Sequence, residues 1–147
     1  MSVLISGPPE AVRGSKVDVV RLQRCGERLL LAIGERGSEL SIALVDDPEI
    51  KDLNTRWRNR PKATDVLSFS QIEGEESGGA SRLLGDVVIS VETAALQSAD
   101  RHRGLNETVT RLLIHGLLHL IGHDHEEDEE ASRMIAEERR LWRGLRS

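Results

Sequence analysis

The spacing of apolar residues changes along the chain, and each change marks an element. Val3 to Ile5 is a short apolar run before the turn residues Gly7-Pro8-Pro9 and predicts a brief first strand. From about Val17 to Ile33, Leu22, Cys25, Leu29 and Ile33 fall at the spacing of one helix face, and Gly34 supplies a stop. Leu40, Ile42 and Leu44 then alternate with Ser41 and Ala43, the period of a half-buried strand. Asp47-Pro48 reads as an N-cap with proline at the first helical position, opening a short helix towards Asn54. Val66-Leu67-Ser68-Phe69 and Leu84 to Ile89 are strand-like. Residues 71–81 between them, QIEGEESGGAS, are polar and glycine-rich, which predicts a hairpin around a mobile loop. Ser90 is placed to cap a helix through Leu96, and Asn106 another through about Ile121. Asp124 leads into a last helix that starts acidic and ends in Arg139, Arg140 and Arg143, a polarity that suits the helix dipole.

Helices and strands interleave without strict β-α-β alternation. The expected fold class is α+β, a mixed four-stranded sheet covered by about five helices, in a single domain over residues 1–147. A content of 38% hydrophobic and 31% charged residues is that of a globular chain. The lone Cys25 permits no intrachain disulfide, and no stretch approaches a membrane span, so the expected location is cytoplasmic with no membrane partner. The net charge of −5 does not by itself suggest nucleic-acid binding. Local charge does more: residues 126–130 form an acidic block, whereas Arg56, Arg58, Arg60 and Lys62 occupy alternate positions. If that segment runs extended, the four cations share one side and can track a phosphate backbone.

Chemistry concentrates in His115-Gly116-Leu117-Leu118-His119-Leu120-Ile121-Gly122-His123-Asp124-His125, which holds four of the five histidines. His115 and His119, four apart on a helix, project from one face. Gly122 is able to adopt positive φ and turn the chain back, which brings His125 towards the same point. Three neutral imidazoles leave a tetrahedral zinc one open position for water, so the expected cofactor is one Zn2+ per chain, held by His115, His119 and His125. His123 is expected to point away. The spacing resembles the zinc-binding helix of the metzincin proteases, but Gly116 stands where those enzymes keep their glutamate base. Peptidase activity is therefore not expected. Restoring a glutamate at position 116 is not expected to create a protease.

The same eleven residues resemble the H-G-x-L-H-x-x-G-Y-D-H signature of the YbeY family. Upstream, Leu53-Asn54, Trp57-Arg58, Thr64 to Phe69 and Leu84 to Ser90 fall in that family's order, so the similarity covers about residues 40–125. Two positions depart: His123 replaces the usual tyrosine, and Ser70 a common proline. The resemblance implies a zinc-dependent endoribonuclease preferring single-stranded RNA, acting in 16S ribosomal RNA 3′-end maturation and ribosome quality control. It implies the three histidines as metal ligands and Arg58 as the catalytic arginine. Its implied partners are RNA, the small ribosomal subunit, an assembly GTPase and other ribonucleases. Arginine suits an RNA phosphodiester because its fork binds an anionic phosphoryl group and stabilises developing charge. Two other functions fit the residues: a non-catalytic ribosome-assembly factor with a structural zinc, and a hydrolase of another substrate with its base supplied elsewhere. With two Trp, one Phe and no Tyr, extensive base stacking is not expected.

Overall fold

A computed structural model describes residues 3–9, 16–35, 37–71, 82–124 and 126–146. Its elements run β1 (Val3–Ser6), α1 (Val19–Ala32), β2 (Ser38–Val45), α2 (Asp47–Arg58), β3 (Val66–Ser70), β4 (Arg82–Ser90), α3 (Val91–Asp100), α4 (Leu105–Leu120) and α5 (Asp128–Arg146). The sheet order is β1-β2-β4-β3, with β1, β2 and β4 parallel and β3 antiparallel to β4. This is the expected mixed four-stranded α+β arrangement, and β3 is the edge strand that matters for the site.

Alternation decides the two faces of the sheet. Leu40, Ile42 and Leu44 of β2 join Leu84, Val87 and Ile89 of β4 in a core shared with α1, α3, α4 and α5. The opposite face carries a smaller cluster of Val45 and Val88 with Ile50 of α2. Helix α4 lies at the centre of the larger core: Val109, Leu113, Leu117 and Leu118 are fully buried. Its half-exposed residues include Arg111, His115 and His119, spaced by four, so one stripe of this otherwise apolar helix stays open to solvent.

Three helices differ at their ends from the sequence expectation. The N-cap of α2 is Asp46, whose carboxylate accepts from the Glu49 N–H, and the helix continues to Arg58 rather than ending near Asn54. Arg56 and Arg58 are therefore helical. Two residues apart on a helix means nearly opposite directions, so the row of four cations along one extended edge does not form. Arg56 instead pairs with Asp52 one turn back. Helix α3 runs on to Asp100, past Leu96. Helix α4 is preceded by Gly104, and Asn106 lies inside it, where its side-chain oxygen accepts from the Asp18 N–H. The glycine-rich stretch 72–81 lies outside the described residues.

Gly116 is where α4 meets the sheet. A Cβ there would sit 2.8 Å from Val87 Cγ1 and 3.1 Å from both Ser68 Oγ and Val66 Cγ2. Glycine permits this contact, and the Ser68 hydroxyl locks it by donating to the Gly116 carbonyl at 2.7 Å. Position 116 thus has a packing reason to lack a side chain, beyond the missing protease base. A glutamate there would strike the sheet, so that variant would suffer in folding as well as in chemistry. Gly116→Ala is expected to destabilise by about 1–2 kcal/mol, overpacking of about 1–3 being offset by up to about 1 of helix propensity. A denaturant midpoint at or above wild type would contradict this close approach.

Candidate active site

Two local devices aim the histidines. Helix α4 ends in a paired C-terminal motif: the His123 N–H reaches the Leu118 carbonyl and the Gly122 N–H reaches His119, with Gly122 at φ 101°. The sequence expected Gly122 to turn the chain here, and it does. Above that turn, His115 and His119 bring their Nε2 atoms to 3.2 Å from one another. Glu138 of α5 approaches His115 Nδ1 at 3.2 Å. A carboxylate only accepts, so Nδ1 is the donor in this contact and Nε2 is the ring nitrogen that faces His119.

The third expected ligand, His125, lies outside the described residues. Among the described residues no group of three His, Cys, Asp or Glu side chains converges as a metal cage. His123 lies towards α5 and is absent from the described lining of the cleft. Its charge adds to a larger effect at Glu137. A hydrogen bond from Arg140 holds that carboxyl below its ordinary value against the opposing effect of burial, with the charges of Arg140 and His123 contributing less.

The histidine pair opens onto a cleft of about 660 Å³ lined by Arg58, residues 64–68 and Ser70 of the β3 segment, and Leu120 of α4. Arg58 reaches it from the last turn of α2. Asn59 closes that helix in the left-handed conformation (φ 56°, ψ 37°), and the buried Asn54 side chain donates to the Lys62 carbonyl at 2.9 Å, pinning the turn that follows. The Arg58 guanidinium donates through Nη2 to the Ser68 carbonyl and stacks 5.1 Å from the centre of the Phe69 ring. One donor is thus spent on positioning, while the rest of the fork remains at the cleft.

Asp65 is the one carboxylate among the described lining residues. Its Oδ1 accepts from the Val66 N–H at 2.8 Å and its Oδ2 from Gln97 Nε2 at 3.0 Å, so it is anchored at the cleft wall. Sequence reasoning singled out neither Asp65 nor Glu138. For Asp65 a signal existed, a carboxylate beside a strand in a matched block. For Glu138, a surface-type residue 23 positions from its histidine, there was none.

The structure therefore brings together Arg58, His115 and His119 in one cleft on an α+β domain. A family model described as Endoribonuclease YbeY matches residues 15–146. The endoribonuclease YbeY of Aquifex aeolicus (strain VF5) is 43% identical over 122 residues, 83% of this chain and 79% of that protein. That of Anaeromyxobacter dehalogenans (strain 2CP-C) is 42% identical over 140 residues, 95% of this chain and 69% of the relative. That of Myxococcus xanthus (strain DK1622) is 45% identical over 133 residues, 90% of this chain but 45% of that longer protein. The solution structure of TM1509 from Thermotoga maritima shares the fold, with a TM-score of 0.65 at 23% identity over 97% of this chain and 88% of that one. The chain belongs to the endoribonuclease YbeY family, and endonucleolytic RNA cleavage is its class of activity.

Proposed function

We propose that this chain is a zinc-dependent endoribonuclease that prefers single-stranded RNA. In this reading His115, His119 and His125 hold the metal, and Arg58 is the catalytic arginine. The observation that carries it is the placement of a fixed guanidinium and two convergent imidazoles in one cleft. The donor set suits zinc. Neutral imidazoles favour zinc, copper or nickel over magnesium, and two nitrogens about 2.0–2.1 Å from a tetrahedral ion are about 3.3 Å apart, close to the 3.2 Å here. Glu138 on the far nitrogen of His115 is the outer partner that such a ligand ordinarily has.

When bound, the metal would lower the pKa of a water or polarise a phosphoryl oxygen. The protein's own groups do the rest. Arg58 binds the scissile phosphate and stabilises the charge that grows on it. Asp65, anchored by Gln97 and the Val66 N–H, is the carboxylate in the cleft that would accept a proton from the attacking water or ribose hydroxyl. Glu138 keeps His115 in one tautomer. The biological setting proposed is the cytoplasm, in maturation of the 16S ribosomal RNA 3′ end and ribosome quality control. Partners there would be the small ribosomal subunit, an assembly GTPase and other ribonucleases. No helix of the described residues is long and apolar enough to cross a membrane.

The test is incubation of zinc-loaded protein with an unstructured RNA, with and without a chelator, followed by analysis of the product ends. Chelator-sensitive internal cleavage is expected. A 2′,3′-cyclic phosphate would assign attack to the ribose hydroxyl, and its absence would assign hydrolysis. Chelator-sensitive proteolysis of casein together with inert behaviour towards RNA would overturn the reading.

A further inference from the structure

The cleft holds one described cation, Arg58, and one carboxylate, Asp65, which nearly cancel. That is little charge with which to retain a polyanion, since affinity for RNA comes largely from the number of phosphates neutralised. The missing charge lies next door. A hollow of about 330 Å³ shares Asp65 and His115 with the cleft and adds Arg101, Arg103 and Arg111. Beyond it, a hollow of about 370 Å³ shares Arg111 and Glu138 and adds Arg139 and Arg143. Trp142 then joins this to a third, of about 470 Å³, lined by Arg21, Arg24, Arg28 and Arg146. Nine arginines thus line adjoining hollows over the α3–α4 connection, α4, α5 and α1, in a chain whose net charge is −5.

We propose that this arginine-lined face is a sequence-independent track for the single-stranded RNA whose scissile phosphate sits at Arg58. The proposal rests on the ribonuclease reading and extends it beyond the cleft. The carboxylates on the face are few and engaged: Glu107 pairs with Arg103 and Arg111, and Glu138 holds His115. Arg28 lies on the same face and donates to the Gly144 and Leu145 carbonyls at 2.7 and 3.0 Å. Arg24 and Arg139 are exposed and make no ion pair or hydrogen bond among the described residues. Trp142 lies half-buried at the join of two hollows with the Arg111 guanidinium 4.3 Å from its ring centre, an assembly on which a base can stack. From His115 back to Glu107 the track follows two turns of α4, about 12 Å at 1.5 Å per residue. That accommodates a few nucleotides on one side of the cut.

The test uses the full zinc-loaded chain with unstructured RNAs of roughly 4 and 16 nucleotides, which bracket ordinary single-strand site sizes. It compares wild type with Arg24→Gln/Arg139→Gln, reading KM, kcat and salt dependence. Binding of a fluorescently labelled long RNA is followed by anisotropy, independently of cleavage. Wild type is expected to show a KM at least about tenfold lower on the long RNA. The double variant should lose most of that gain, with kcat and the short substrate unchanged. Its log–log salt slope for binding the long RNA should fall by about 1.4, two phosphate contacts at about 0.7 each. Unchanged long-RNA affinity and slope would overturn the track and leave this face to an acidic protein. Equal losses on both RNAs would overturn it as well. If the double variant shows the predicted fall in slope on the long RNA but wild type cleaves neither substrate, the catalytic reading fails and the track stands.

Discussion

Arg58→Ala is expected to lower kcat for RNA cleavage by about 10²–10³-fold, the usual cost of removing one donor from a developing oxyanion. The fold should survive. The side chain is exposed, and what the truncation removes is one hydrogen bond to the Ser68 carbonyl and a stack on Phe69, together about 1–2 kcal/mol. Arg58→Lys keeps the charge and loses the planar fork, so it should recover only part of the rate. Steady-state kinetics on an unstructured RNA, alongside circular dichroism and zinc content, separates the alternatives. Wild-type rates from Arg58→Lys would reduce Arg58 to a source of general charge. Wild-type rates from Arg58→Ala would remove it from the mechanism.

His119→Ala should abolish cleavage and strip the metal together. Losing an outer partner of a metal-bound histidine costs about 10–100-fold in affinity, and losing a ligand should cost more than that. Glu138→Ala falls in the lower range, because His115 keeps its place on α4 and loses only its orienting carboxylate. The two variants therefore rank on a competition titration with a zinc chelator: wild type tightest, Glu138→Ala intermediate, His119→Ala weakest. A His119→Ala protein that keeps full zinc affinity would show that the convergence of the two Nε2 atoms has another purpose. A variant that loses cleavage but keeps ribosome binding would argue against a purely structural zinc.

The sheet was legible because its strands alternate cleanly. Leu40, Ile42 and Leu44 alone predict β2 and the side it buries. The histidine helix was legible from its spacing, and its end from Gly122. What escaped depends on contacts distant in sequence. The end of α2 was misread because beyond Leu53 the helix buries only Asn54, and its last turn, Thr55 to Arg58, is wholly exposed. Hydrophobic periodicity has nothing to register there. Asn106 has the chemistry of a cap, yet its oxygen serves Asp18, 88 positions away. Gly116 could be read as the absence of a base. Its contact with Val87 becomes visible only when α4 lies on the sheet.

The central claim is a metal centre built on His115, His119 and His125, and metal content tests it most directly. Elemental analysis of protein purified without a histidine tag is expected to find about one zinc per chain, removable by chelation and restored on titration. Protein that carries no transition metal as purified and takes up none on titration would contradict the account.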